Sequence, residues 1–261
     1  MSQFSTHNKA FKFKGIDSEK WQLYIVTTRK IDDERPFGII SKLDMDENYS
    51  RPLFNKKTKE RPSFNIELTR LDEDNNPLGM NDAYLTKIFK WLNSSKPDIL
   101  EVGGFIYYGC FTKCNRWDNS AYKGILNYTF EMSDYYCYSH VMRNSYNLSD
   151  KDYMHVRLIN DSNVDENEIP IDIKFRATDN TNLIIRNLSN NKKFIQSNIL
   201  SGEEIQIYGE SHEIFCMNNL TKNVFKNKSG DWINLIYGQN NLKVEGNGII
   251  TFTYQIPYGL R

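Results

Sequence analysis

Along most of this chain apolar residues return at every second position, and in one stretch they return at helical spacing. Phe64, Ile66 and Leu68 share one face of a period-two segment, and Asn65, Glu67 and Thr69 share the other. This predicts a half-buried strand, in a hairpin with Pro52-Leu-Phe-Asn across a basic turn at residues 56–61. Upstream, Phe11-Lys-Phe-Lys-Gly and Trp21-Gln-Leu-Tyr-Ile-Val read as strands separated by the turn composition of Gly15-Ile-Asp-Ser. Residues 29–50 are charged and irregular and read as a long loop. Downstream, Phe105-Ile-Tyr-Tyr-Gly-Cys-Phe and Gly124-Ile-Leu-Asn-Tyr-Thr-Phe-Glu-Met read as strands joined by a polar turn at residues 115–120.

Tyr84, Leu85, Ile88, Trp91 and Leu92 form a single apolar stripe at i, i+1, i+4, i+7 and i+8. The stripe predicts one amphipathic helix over residues 81–92. Asn81 is its N-cap, Asp82 suits its positive end, and Pro97 is the expected stop. A lone stripe of this length needs an apolar surface to cover, so the helix is expected to be a lid on the neighbouring strands.

A polar stretch at residues 141–152 marks the expected domain boundary, giving domains 1–140 and 141–261. The second half is strand and turn. Ile169-Pro-Ile-Asp-Ile-Lys-Phe, Asn182-Leu-Ile-Ile-Arg-Asn, Glu204-Ile-Gln-Ile-Tyr, Glu213-Ile-Phe-Cys-Met, Trp232-Ile-Asn-Leu-Ile-Tyr and Gly248-Ile-Ile-Thr-Phe-Thr-Tyr follow at short, regular intervals. Such spacing predicts an antiparallel sandwich.

Composition narrows the function. Lys plus Arg and Asp plus Glu both count 33, so no basic surplus draws the chain to nucleic acid. No run approaches the roughly 20 apolar residues of a membrane span, and no signal peptide is visible, so a soluble protein made in the cytosol is expected. Four cysteines are too few for a disulfide framework.

Taken in order, these segments resemble the distal tail protein family of long-tailed, siphovirus-type bacteriophages. The resemblance rests on Phe11, Phe13, Gly15, Ile16 and Asp17 in the opening strand, and on the helix ending in Trp91-Leu92 before a Tyr-rich strand pair. It continues through the Ile-rich strand and Asn/Ser turn at 183–191, Ser-Gly-Glu-Glu-Ile-Gln-Ile at 201–207 and Gly-Gln-Asn-Asn-Leu-Lys-Val at 238–244. It implies a mainly β chain of two antiparallel β-sandwich domains. The first carries one packed α-helix and forms a hexameric ring, and the second is galectin-like. The ring would join the tail tube protein to the tail-tip or tail-associated lysin protein, and the outer domains would anchor receptor-binding or baseplate proteins. The place implied is the virion, at the phage tail tip, after synthesis in the host cytoplasm. No room remains between the strands for an inserted carbohydrate-binding module, which argues against direct host binding.

Candidate chemistry is sparse. Cys110, Cys114, Cys137 and His140 are residue types that bind zinc, but Cys110 sits in an aromatic strand and Cys137 alternates with tyrosines as a small hydrophobe would. Glu203 and Glu204 are adjacent in a strand, so they point to opposite faces and cannot flank one scissile bond. Asp44, Asp46 and Glu47 lack the ligand ladder of a calcium loop. His7, His140, His155 and His212 fall in unrelated contexts. No catalytic, cofactor-binding or metal-binding residue is therefore assigned, and no cofactor or enzyme activity is expected. The alternative is a soluble carbohydrate-binding module. Against it, the galectin site uses His-x-Asn-x-Arg, whereas His155 is followed by Arg157 with no Asn. No Glu–Arg pair follows Trp232 either, so no β-galactoside binding is expected.

Overall fold

Phe11 and Phe13 alternate with lysines and both are buried. Strand β1 (Lys12–Phe13) pairs antiparallel with β2 (Ile16–Asp17), Lys12 opposite Asp17 and Phe13 opposite Ile16. Only Lys14 and Gly15 lie between them, at φ 51° and 70°. Two successive left-handed residues give the mirror-image turn that matches strand twist. Gly15 adopts it freely, while a side chain such as that of Lys14 costs roughly 1–2 kcal/mol there. The Lys14 ammonium offsets part of this by donating to the Trp91 carbonyl (3.0 Å) and the Asn93 carbonyl (2.8 Å). Asp17 then accepts from the Glu19 amide at 3.1 Å and starts a 3-10 turn over Ser18–Trp21.

The computed structural model describes residues 9–26, 41–46, 53–59, 61–117, 124–164 and 168–259. They divide into two compact units, one of residues 1–138 with 258–261 and one of residues 139–257. The first unit continues with β3 (Leu23–Ile25), β4 (Ser41–Asp46), β5 (Leu53–Lys59) and β6 (Ser63–Arg70). Helix α1 (Asp82–Leu92) follows, then β7 (Asp98–Val102), β8 (Phe105–Trp117), β9 (Ile125–Met132) and β10 (Cys137–Tyr138). One sheet of nine strands runs in the order β2-β1-β7-β8-β9-β6-β3, and β10 joins it beside β8 and the last strand of the chain. A separate hairpin holds β4 and β5.

Several expectations are corrected here. Strand β4 lies inside the supposed long loop, because Leu43 and Met45 alternate with charged residues and hide the period. Residues 56–59 of the supposed basic turn are part of β5, and β5 pairs with β4 instead of β6. Strand β6 lies between β3 and β9, which places it in the body of the sheet. Residues 115–117, read as a turn, extend β8.

Helix α1 begins as its sequence dictates, with Asn81 Oδ1 accepting from the Tyr84 amide at 2.9 Å. Leu85, Ile88, Trp91 and Leu92 are buried in one cluster with Phe13, Leu68, Leu100, Phe111, Tyr128 and Phe130 of the sheet. The helix is a lid. It stops at Leu92 and not at Pro97, because Asn93 turns to extended geometry (φ −65°, ψ 128°) and bridges to Phe111 of β8. The Lys14 ammonium covers the carbonyls left open at that end, where the helix dipole is negative. At the other end of the stripe the Tyr84 hydroxyl donates to the Trp21 carbonyl at 2.6 Å. Burial pushes its pKa up to about 12, although the Arg70 guanidinium over its ring pulls the other way.

The second unit holds β11 (Met142–Asn147), β12 (Met154–Asn160), β13 (Ile169–Pro170), β14 (Asp172–Ala177), β15 (Thr181–Asn187) and β16 (Lys192–Ile199). Then come β17 (Glu204–Tyr208), β18 (Glu213–Cys216), β19 (Lys228–Gly230), β20 (Asn234–Leu235), β21 (Gly238–Glu245) and β22 (Gly248–Tyr254). The last strand, β23 (Pro257–Tyr258), begins here, and its Tyr258 belongs to the first unit and packs against Phe105. Two five-stranded antiparallel sheets result, β11-β22-β14-β17-β18 and β12-β21-β15-β16-β19, with β13–β20 as a small third pair. The inner strands alternate buried with outward residues, as in β14 (Ile173, Phe175, Ala177) and β21 (Leu242, Val244). Two sheets with one apolar face each cover one another, and the result is a β-sandwich.

Three asparagines, Asn160, Asn187 and Asn240, are fully buried in the second of these sheets. Asn240 Oδ1 accepts from the Ile236 amide and from Asn187 Nδ2, both at 3.0 Å, and Asn240 Nδ2 donates to the Ile236 carbonyl at 2.7 Å. Asn187 Nδ2 also reaches the Asn234 carbonyl, and Asn160 Nδ2 donates to the Leu235 carbonyl at 3.1 Å. The irregular segment around β20 has little ladder of its own, so these amides satisfy its backbone.

Two stability outcomes follow from this packing. Ile88→Ala and Leu92→Ala each lower unfolding free energy by about 2–5 kcal/mol in denaturant titrations; an unmoved midpoint would remove the lid from the core. Asn240→Ala costs about 1–3 kcal/mol for each buried group it orphans, whereas Asn241→Ala at the exposed neighbouring position is nearly neutral.

Candidate functional surfaces

The cysteine and histidine set is spread along separate elements. Cys110 and Cys114 lie on β8 opposite Glu131 and Tyr128, with a register shift between Phe111 and Lys113. Cys114 is half-buried beside Tyr128, and burial pushes both the thiol and the phenol up. Cys137 on β10 is buried, donates to the Tyr258 carbonyl at 3.5 Å and is likewise raised by burial. All four cysteines are free thiols. Among the described residues no group of three or more His, Cys, Asp or Glu gathers to hold a metal ion. Asp44 and Asp46 fall on β4, while Glu47 and His7 lie outside the described residues. Among the described residues no helix is long and apolar enough to cross a membrane.

The two adjacent glutamates are held apart, each by its own lysine. Glu204 pairs with Lys174 at 2.7 Å. Glu203 is nearly buried, and both of its oxygens lie 2.6 Å from Lys222 Nζ while Oε2 accepts from the Leu200 amide. Burial alone would raise the Glu203 carboxyl. The Lys222 ammonium and the Leu200 amide outweigh it and hold the carboxyl below its ordinary range. The pair ties together two segments whose apolar side chains face solvent: Leu200, Met217 and Leu220, the last 74% exposed.

His155 stands exposed on β12 with Tyr153 edge-on to it at 5.3 Å. Trp232 is half-buried outside any strand. His212 stacks on it at 4.7 Å, Phe194 packs at 6.0 Å, and the Lys228 ammonium lies 4.8 Å from its ring. Its ring is therefore engaged within the unit and is not a bare platform for a sugar. Tyr237 is open to solvent, at 76%, and Phe225 and Tyr153 are exposed as well. Sequence reasoning missed β12 and β16 altogether. Strand β12 mixes its period with charged residues, and β16 opens on two lysines, although Val156, Leu158, Phe194 and Ile199 carry the signal.

The face of the first sheet opposite α1 is polar. Asn65 and Glu67 of β6 lie opposite Thr129 and Asn127 of β9. The Thr129 hydroxyl donates to Asn65 Oδ1 at 2.9 Å, and the Thr112 hydroxyl donates to Glu131 Oε1 at 2.9 Å. Over β6 and β9 this face is hydrogen-bonded along its surface, while Ile99 of β7 stands partly exposed opposite Tyr108 of β8.

Residues 6–134 match the family described as phage tail protein N-terminal domain. The first half of this chain is similar to that domain. The fold of the whole chain is similar to that in the crystal structure of the phage SPP1 Dit protein (gp 19.1), described as a paradigm of hub adsorption apparatus in Gram-positive infecting phages. That likeness has a TM-score of 0.61 at 11% identity and covers 95% of this chain and 99% of the other. The phage p2 baseplate in its activated conformation with Sr is matched with a TM-score of 0.42 at 10% identity, over 95% of this chain and 97% of that one. No curated protein matches. Within the matched residues the opening Phe-x-Phe-x-Gly-Ile-Asp is the β1–β2 hairpin, and the Trp-Leu pair is the buried end of α1.

The Glu203–Lys222 pair sets a pH dependence. The folded-state pKa of Glu203 is lowered, so its contribution is fully present above the ordinary glutamate value and is lost as pH falls through the lowered one. The stability gap between the native protein and Glu203→Gln is expected to hold constant near about pH 6–7 and to close below about pH 4. A gap independent of pH would show that Lys222 does not stabilise the ionised carboxylate.

Proposed function

We propose that this protein is the structural hub at the distal end of a phage tail. In this reading the first unit assembles head to tail into a closed six-membered ring. The ring joins the tail tube protein to the tail-tip or tail-associated lysin protein. The second unit is a galectin-like outer scaffold that anchors receptor-binding or baseplate proteins. The single observation that carries the reading is the coincidence of two findings on one chain: a match to a phage tail protein domain in the first half, and a distal tail protein fold over 95% of the length.

The geometry supports it. Different patches on successive subunits meet in a head-to-tail contact, and a rotation that closes gives a ring instead of a filament. The polar face of the first sheet suits the wall of a water-filled channel, since Asn65, Thr112, Thr129 and Glu131 need no apolar cover. In the second unit, exposed Leu200, Met217 and Leu220 offer the apolar contact that an anchored protein would bury. The reading assigns the chain no reaction, no cofactor and no nucleic-acid specificity. It places the protein in the virion after synthesis in the host cytoplasm.

Native mass spectrometry of the intact protein, together with images of the assembled tail, tests this. A discrete oligomer with a six-fold ring at the tail end is expected. A monomer both in solution and in the particle would overturn the proposal.

A further inference from the structure

We propose that the outward face of the β12-β21-β15-β16-β19 sheet binds a linear phosphate polymer along a row of three cations, Lys243, Arg186 and Lys193, that crosses three adjacent strands. His155 of β12 stands opposite Lys243 of β21, Lys243 opposite Arg186 of β15, and Arg186 opposite Lys193 of β16. The neighbours of these residues along each strand, Val156, Leu242, Val244, Ile185 and Phe194, are buried, so the strand period turns the row outward. Strands lie about 4.8 Å apart, so the three cations span about 10 Å. Arg157 stands on the same face of β12, opposite Asn241.

Like charges directly opposite one another on a sheet destabilise it, so the row works against the fold that carries it. Local carboxylates neutralise only part of it. Glu245 lies 3.0 Å from Lys243 Nζ, and Asp231, at the end of the row, accepts from the backbone amide of Lys193 at 3.2 Å. Among the described residues neither Arg157 nor Arg186 has an ion pair. The Tyr153 ring, with the Lys243 ammonium 4.3 Å from its centroid and His155 edge-on, steadies that end of the row.

The partner follows from this chemistry. Arginine forks and lysine point charges together suit phosphate oxygens. A flat row, with no pocket, fits a chain of repeated anions better than a single small one. Ile184 and Ile195 on the same face are half-buried beside the row, and the row itself offers charged groups only. The surface belongs to the second unit alone and does not depend on ring formation.

The test titrates purified full-length protein with fluorescently labelled linear polyphosphate at low and moderate salt, and with poly-glutamate as the comparison. Arg186→Ser and Lys243→Ser are expected to weaken polyphosphate binding by about tenfold or more at low salt. Arg176→Ser makes the same charge change on the outward face of the other sheet and is expected to stay within about twofold. The melting temperature of Arg186→Ser should hold or rise, since the change removes an opposed like charge. Three results would overturn the proposal: no saturable binding, equal losses in Arg176→Ser, or poly-glutamate bound as tightly as polyphosphate. A lowered melting temperature in Arg186→Ser would equally overturn it, by showing that the row serves the fold.

Discussion

The Trp91 side chain sits where the helix, the first hairpin and the sheet meet. Its indole N–H donates to the Phe13 carbonyl at 3.1 Å, its ring stacks on Phe11 at 5.6 Å with 10° between planes, and Trp21 packs on it at 6.3 Å. An isolated helix of α1's length is marginal in water, so tertiary contact must hold it. The hairpin is in no better position alone, because it carries a left-handed lysine in its turn. The Lys14 ammonium on the helix C-terminal carbonyls and the Trp91 indole on the hairpin carbonyl answer both deficits at once. Residues 11–21 and 82–93 therefore order one another. The apolar face of the sheet is covered only when both are in place.

Such reciprocity explains which parts of the fold the sequence reveals. Helix α1 was legible in full, from the Asn81 cap to the buried stripe, because every signal in it is local. Its end at Leu92 was also legible, but the reason for it was placed at Pro97. In the fold Asn93 turns to extended geometry, and a lysine 77 residues from Trp91 in sequence covers the open carbonyl. The same limit governs strand partners. The period of β6 was plain, but its neighbours β3 and β9 were not, since alternation says which face is buried and nothing about what lies alongside. Strands β4 and β12 were hidden for a different reason. Charged residues alternate with apolar ones in both sequences, and short alternations of that kind resemble loop composition. The return of Tyr258 to the first unit left no trace at all, since a two-residue strand has no period to read.

Residue type and spacing suggest candidate chemistry, and the fold shows what each of those residues touches. Residue type alone gathered Cys110, Cys114, Cys137 and His140 into a possible ligand set, and strand geometry scatters them. Spacing alone set Glu203 beside Glu204, and the lysines at 174 and 222 show each carboxylate engaged on its own. Interaction surfaces leave a fainter record. Leu220 and Tyr237 stand in solvent in the fold. Nothing local distinguishes an apolar residue kept for the interior from one kept for a partner. The difference lies in the burial pattern of the strands around it, which only the paired sheet supplies.

The second unit sharpens the distinction between polar residues the fold needs and those it merely tolerates. Asn160, Asn187 and Asn240 are buried, yet their amides take backbone groups that the irregular β20 segment could not pair itself. Their presence is explained within the chain, and removing one leaves its partners orphaned. Arg186 is the opposite case on the same strand as Asn187. It stands outward between Lys243 and Lys193, and those two neighbours repel it. A residue that satisfies its surroundings can be accounted for by stability. One that strains them must be accounted for by something outside the chain, and adjacent positions of β15 carry one of each.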